Sequence, residues 1–372
     1  MQNKVKNIIV TSVFVAFLAF FVAMCAVCYL NPQKTSEAER RPLAQFPEEL
    51  TWENVVDKSF IEDFEDYSVD QFPFREFFRG LKARFQYGVL GLKENNGLAV
   101  KDGYICKVEN SFNHKLVQHS ASKLTNIYNN TLKDKAANVY VSVVPEKGYF
   151  FGKDYGYISA DYDRLISDLR AALPEAEYID IMDELELGDY YRTDTHWSQD
   201  KILGVLDKLA TEMDFKDYIP AEDGYTVNSK GDFQGVYYGQ SALKPAPDEL
   251  VYLTNDVINS FRVFDYETNR YSNSVYDESK LEGSDRYEYF LSGTRALLRI
   301  DNPKAENDKT LVLFRDSFGS SIAPLLAQGY SHVYVVDIRY VAPQIIGNFI
   351  DFEGVDVLFL YSSLVLNSNS FK

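Results

Sequence analysis

Histidine, cysteine and tryptophan are scarce in this 372-residue sequence, at four, three and two residues. Cys25 and Cys28 lie in one apolar run, which leaves Cys106 alone in the rest of the chain. A disulfide scaffold and a cysteine-based zinc site are therefore excluded as organising features. His114, His119, His196 and His332 form no HExxH and no pair at helical ligand spacing, so neither a metal nor another cofactor is expected. Basic residues are also in deficit, with 38 Lys and Arg against 55 Asp and Glu and a formal charge of −17. Such a field repels a polyanion, so nucleic acid is not an expected partner. Repeats and low-complexity tracts are absent. What remains is ordinary globular composition, 46% hydrophobic and 25% charged, which excludes general disorder and a multi-span membrane protein. The length suits one large or two medium domains.

One long hydrophobic run does occur. Ile8 to Leu30 carries no charge, and about 34 Å of helix at about 1.5 Å per residue is enough to cross a bilayer. A buried core helix of that length would show a polar face. A cleaved signal peptide would have a shorter apolar core and a small-x-small site, and Met24-Cys25 and Val27-Cys28 make poor lipoprotein sites. The expected organisation is a cytoplasmic tip and transmembrane signal anchor over 1–30, a Pro- and charge-rich stem over 31–50, and an extracytoplasmic domain over 51–372. Lys4 and Lys6 on one side and Lys34, Arg40 and Arg41 on the other give little charge bias to orient it. Near-absence of cysteine fits an exported bacterial protein that does without disulfides.

Along the domain, Phe60, Phe64 and Tyr67, then Phe77, Leu81 and Phe85, recur at helical steps, with FPF at 72–74 between them. The spacing predicts two helices whose aromatic stripe packs in a core. A hairpin is expected at 98–106 and a helix over 113–135. Apolar runs at 139–144, 177–182, 310–314, 332–338 and 355–362 read as strands. They alternate with predicted helices over 162–173, 198–213 with Ser198 as N-cap, 318–328 and 341–350. That alternation predicts an α/β fold, a parallel sheet with helices on both faces. The polar, Tyr-rich 219–310 stretch reads as an insertion.

Two segments could carry chemistry. In Tyr190-Tyr191-Arg192-Thr193-Asp194-Thr195-His196-Trp197, extended backbone would turn Asp194 and His196 to the same side. Asp194 could then hold His196 Nδ1 and leave Nε2 as a general base, with Trp197 walling off water. The same residues could equally form an Asx-type turn before the next helix, with Trp197 in the core. The second segment, Phe314-Arg315-Asp316-Ser317-Phe318-Gly319, follows a strand and opens a helix. A Ser there is placed as a nucleophile, beside N–H groups that could stabilise an oxyanion. It is also an ordinary N-cap. Together the two segments could assemble a Ser–His–Asp triad.

TDTHW at 193–197 with RDSFG at 315–319 resembles the SGNH-hydrolase-like proteins of alginate O-acetylation and the related DHHW family of Gram-positive bacteria. Softer landmarks follow in the same order: SEAERRPLAQFP (36–47), FEDYSVDQFPFRE (64–76), VVPEKGYF (143–150), GDFQGVYYGQSAL (231–243) and VDIRY (336–340). The resemblance implies a three-layer α/β/α SGNH-hydrolase-like domain that transfers acetyl groups to a glycan. Ser317 would be the nucleophile, His196 the base and Asp194 its orienter. Arg315 or Arg339 would face the substrate; beside the resemblance, Trp197 is a further candidate for the substrate side, and Tyr237 and Tyr238 of the insertion could stack on sugars or simply pack. A membrane-bound O-acyltransferase partner would supply the acyl group. Thr195 stands where DHHW proteins carry His, and Gln199-Asp200-Lys201 replaces the glycine usual after the motif. No carbohydrate-binding module is expected between the last strand and Lys372.

The expected function is thus a membrane-anchored serine O-acetyltransferase or acetylesterase acting on a surface polysaccharide. Which of the two depends on whether a sugar hydroxyl or water resolves the acyl-enzyme. The rival is a non-catalytic glycan-binding or assembly subunit. A transfer subunit for another acyl group in wall or teichoic acid modification is a third reading.

Overall fold

The structure is a computed structural model and describes residues 2–47 and 49–371. Met1, Glu48 and Lys372, which fall in the three expected segments, lie outside the described residues. The chain divides into two compact units, Met1–Asn95 with Tyr238–Lys244, and Asn96–Tyr237 with Pro245–Lys372. The expected stem-to-domain boundary at 50–51 therefore falls inside the first unit.

In the second unit an eight-stranded sheet is built from β1 (Asn138–Val144), β2 (Glu177–Tyr178), β3 (Arg262–Asp265), β4 (Arg270–Ser272), β5 (Leu297–Asp301), β6 (Thr310–Arg315), β7 (His332–Val336) and β8 (Asp356–Ser362). The order is β4-β3-β5-β7-β6-β8-β1-β2. From β7 to β2 all neighbours are parallel, while β5, β3 and β4 join antiparallel. The 219–310 segment thus supplies three strands of the sheet itself. In the central strands side chains part by alternation, as a period of two requires. Tyr140, Leu311, Leu313, Leu358 and Leu360 enter one apolar cluster, and Val141, Val143, Val312, Phe314, Val357 and Phe359 enter the other. Helices Leu203–Glu212 and Phe318–Leu326 cover the first face, and His114–Ile127 and Tyr162–Ala172 the second. The result is the three-layer α/β/α architecture.

Several local expectations change. The 177–182 strand is only two residues long, and the 113–135 helix is α-helical only to Ile127. Ser198 does not cap a helix: its hydroxyl is held by Asp200 Oδ1 at 2.5 Å, one 3₁₀ turn covers Gln199–Lys201, and the α-helix begins at Leu203.

The first unit holds the helix Gln2–Leu30, long and apolar enough to cross a membrane. Helices Trp52–Val56, Ser59–Asp70 and Arg75–Arg84 follow. The expected core stripe here is corrected. Tyr67 is buried, but Phe64, Phe77, Leu81 and Phe85 are exposed. The helical period identified the apolar face correctly and its surroundings wrongly.

Candidate active site

The carboxyl edge of the parallel strands collects the polar groups of the second unit. At the end of β6, the Asp316 carboxylate accepts from Phe318 N–H at 3.0 Å through Oδ1 and from Ser362 N–H at 2.7 Å through Oδ2. It thereby fixes the strand–helix turn to the end of β8. A Cβ at Gly319 would lie 2.4 Å from Arg315 Cβ, so only glycine lets the helix start this close to its strand. Ser317 sits between these pins, half-buried, and its hydroxyl makes no cap to the helix.

The second segment approaches as a tight loop. Tyr190 bridges Trp197, Tyr191 N–H donates to His196 O at 3.0 Å, and Ser198 N–H donates to Asp189 O at 2.8 Å. Asp248 holds the same loop through Arg192 N–H (2.8 Å), Thr193 N–H (2.8 Å) and the Thr193 hydroxyl (2.5 Å). Within it Asp194 Oδ1 lies 2.5 Å from His196 Nδ1 and accepts His196 N–H at 3.1 Å. The Asx turn and the side-chain contact, alternatives in the sequence, are thus both made by one carboxylate. Its other oxygen accepts Val236 N–H at 2.7 Å. That approach needs Gly235, where a Cβ would fall 2.3 Å from Asp194 Cβ.

His196 Nε2 then stands 2.7 Å from Ser317 Oγ. An ionised carboxylate only accepts, so Nδ1 carries the ring proton and Nε2 is left to accept from the Ser317 hydroxyl. The structure therefore brings Asp194, His196 and Ser317 into one hydrogen-bonded line. The imidazole stacks on Tyr287, with ring centroids 3.9 Å apart and planes 5° from parallel. Burial raises the Tyr287 phenol well above its ordinary pKa, so it stays neutral beside the ring. The Tyr287 hydroxyl (2.8 Å) and Trp197 Nε1–H (2.9 Å) both donate to Ser321 Oγ. Tyr287 was missed from sequence, where it is one of 27 tyrosines and lies in no motif.

The residues expected to face substrate lie elsewhere. Trp197, Arg315 and Tyr237 are buried. Trp197 packs edge-on against Phe318 and bonds Ser321, which makes it a brace under the histidine. Arg315 Nη1 lies 3.6 Å from buried Asp337, and Arg339 grips the same carboxylate through Nε (2.9 Å) and Nη2 (2.7 Å). Both arginines thus neutralise a buried acid. Tyr237 donates to Glu146 Oε1 at 2.9 Å and cannot stack on a sugar.

Glu146 is a second residue that sequence reasoning passed over, although VVPEKGYF contains it. It follows β1, accepts the Thr195 hydroxyl at 2.8 Å, and so supports the loop that carries Asp194 and His196. Lys147 Nζ does the same through the carbonyls of Tyr191 (2.8 Å) and Arg192 (3.1 Å). Thr195, the departure from the DHHW pattern, is therefore short enough to meet Glu146. Burial pushes the Glu146 carboxyl up to about 7, against the opposing pull of Lys147 and of the Thr195 and Tyr237 hydrogen bonds. A raised folded pKa means a stabilising contribution that is complete at acid pH and lost as pH rises towards about 7. Glu146→Gln, which keeps the shape without the charge, is expected to flatten that decline. Thermal melts of both proteins between about pH 5 and pH 8 check it; parallel declines would contradict it.

Fold and site together define a three-layer α/β/α protein with an Asp–His–Ser line at the carboxyl edge of its sheet. The family it matches is the DHHW protein family, whose model covers residues 180–336, so the resemblance read from TDTHW and RDSFG is borne out. Comparison with curated proteins gives no match. Among solved structures, a DHHW family protein from Eubacterium siraeum is similar at TM-score 0.60 and 21% identity, over 74% of this chain and 94% of its own. Bacillus cereus PatB1 is similar at TM-score 0.56 and 20% identity, over 75% and 99%. A second PatB1 structure, with a sulfonyl adduct, gives 0.56 and 18%, over 74% and 99%. At these identities the likeness establishes the fold.

Proposed function

We propose that this chain is a membrane-tethered, extracytoplasmic serine acyltransferase or esterase that handles acetyl groups on a cell-surface polysaccharide. The observation that carries the reading is the 2.7 Å contact of His196 Nε2 with Ser317 Oγ, in line with Asp194. Ser317 Oγ attacks the carbonyl carbon of an acetyl ester while its proton passes to His196 Nε2. The tetrahedral oxyanion lies at the amino end of Phe318–Leu326, where backbone N–H groups and the helix dipole favour negative charge. Collapse expels the donor's alcohol, which takes the proton from His196 and leaves acetyl-Ser317. A sugar hydroxyl then gives its proton to His196 and takes the acetyl group; water in its place makes the reaction hydrolysis. Asp194 stabilises the imidazolium in both halves. A membrane-bound O-acyltransferase partner would supply the donor. Bacillus cereus PatB1, similar to this chain in fold, has been solved with a sulfonyl adduct.

The test uses the full-length protein in detergent with p-nitrophenyl acetate, with and without soluble oligosaccharides. Intact mass should reveal an acetyl adduct on Ser317, consumed faster when a suitable acceptor is present. A protein that binds oligosaccharide yet takes neither acetyl nor fluorophosphonate would be a non-catalytic binding subunit, and the proposal would fall.

A further inference from the structure

Helix Arg75–Arg84 of the first unit turns two arginines inward and leaves its large apolar side chains exposed. Its inward face carries Arg75, Arg79, Gly80 and Ala83. Arg75 Nη2 meets Glu39 at 2.5 Å and Asp70 at 3.2 Å, and Arg79 meets Glu39 at 3.1 Å. Arg41 closes the cluster on Asp70 at 2.6 Å. On the outward side Phe77, Leu81 and, just past the helix end, Phe85 are 65%, 52% and 51% exposed, flanked by exposed Glu76, Lys82 and Arg84. Phe74, at the elbow before the helix, is 58% exposed and held at φ 58°, a left-handed conformation that a bulky residue rarely adopts. An exposed apolar stripe flanked by charged side chains, over ion pairs on the inward face, suits a membrane interface as its neighbour.

The elbow also touches the long apolar helix. Phe72 packs against Phe21 with ring centroids 6.1 Å apart, and Tyr29 against Phe46 at 5.2 Å. Met24 and Val27 of that helix line one cleft with Phe72, Phe74 and Phe77. Phe21 lies about 13 Å along the helix from Leu30 at about 1.5 Å per residue, close to half of a hydrocarbon layer about 30 Å thick. A span that ends near Leu30 therefore carries the elbow below the membrane surface.

We propose that the elbow and the outward face of Arg75–Arg84 are inserted in the bilayer, so that Phe74, Phe77, Leu81 and Phe85 lie in the outer-leaflet hydrocarbon as a monotopic wedge beside the span. The proposal rests on the reading of Gln2–Leu30 as a membrane span. The alternative occupant of this face is a second copy of the chain.

The full chain, with Cys25→Ser and Cys28→Ser and with Cys106 buried, would carry an environment-sensitive fluorophore at Val22→Cys, Phe77→Cys, Leu81→Cys or Val227→Cys. Each variant is reconstituted in phosphatidylcholine vesicles. Nitroxide-bearing lipid should quench the label at positions 22, 77 and 81 several-fold more than at 227, with aqueous iodide giving the reverse order. Quenching by lipid at 22 but not at 77 and 81 would overturn the wedge and leave the anchor standing. Protection of 77 and 81 from both quenchers would overturn it in favour of a protein-covered face. No lipid quenching at 22 would remove the anchor and the wedge with it.

Discussion

Ser317→Ala is expected to lower acetyl-ester turnover by about 10⁴-fold or more, the usual cost of removing the nucleophile from a serine triad, and to abolish both the acetyl adduct and fluorophosphonate labelling. The fold should be unaffected. Ser317 Oγ meets His196 Nε2 and makes no helix cap, and the turn around it is held by Asp316 and Gly319. Its melting temperature should therefore stay close to that of the wild type, which separates lost chemistry from lost structure. Neighbouring Ser320 and Ser321 offer no substitute nucleophile. Both are buried, and Ser321 Oγ is occupied by Trp197 and Tyr287. Residual turnover equal to wild type, or an adduct that persists in the variant, would remove Ser317 from the nucleophile's role.

The parts of the molecule that sequence made legible are those where one physical rule acts alone. Central parallel strands are largely buried on both faces, so β1, β6, β7 and β8 appear as near-continuous apolar runs: VYVSVV at 139–144, LVLF at 311–314, VYVV at 333–336 and VLFLY at 357–361. Asp194, His196 and Ser317 stood out because histidine is rare and Asp-x-His is a compact signal. The illegible parts are those where the neighbour decides. Strands β3 and β4 lie at the sheet's antiparallel end, and β4 is wholly exposed, so neither has an apolar run to announce it. Arg315 and Arg339 look like substrate contacts until Asp337, brought in from the next strand, is seen between them. In sequence Tyr237 and Trp197 fit either a substrate contact or the core, because their polar edges leave open whether the partner is a ligand or the protein. Here the partners are Glu146 and Ser321. The Phe77–Leu81–Phe85 stripe shows the same limit, since periodicity says which face is apolar but not what covers it.

Asp194→Asn is the sharper test of mechanism, because it leaves size and burial almost unchanged. The native carboxylate receives donors on both oxygens: His196 Nδ1–H and His196 N–H on Oδ1, and Val236 N–H on Oδ2. An asparagine has one acceptor oxygen and one NH₂ group. If its oxygen serves Val236, the NH₂ group points at Nδ1, which must then accept, and the ring proton moves to Nε2. That tautomer cannot take the proton from Ser317. If the amide turns over, two donors oppose each other at Val236, and a buried N–H loses its partner at a cost of about 1–3 kcal/mol. In the first arrangement the NH₂ group opposes the His196 backbone N–H instead, so either orientation leaves one buried N–H without a partner. The variant should fold with its stability lowered by about 1–3 kcal/mol, while the orientation that keeps Val236 lowers acyl transfer by about 10⁴-fold near neutral pH. Fluorophosphonate labelling should slow in proportion, since it needs the same activated oxygen. His196 would still stack on Tyr287, so a ring held in place but inert is the predicted state, readable as a cooperative melt at a modestly lowered temperature with a lost labelling rate. An Asn variant that labels at the wild-type rate would mean that the 2.5 Å contact of Asp194 with Nδ1 only shapes the loop.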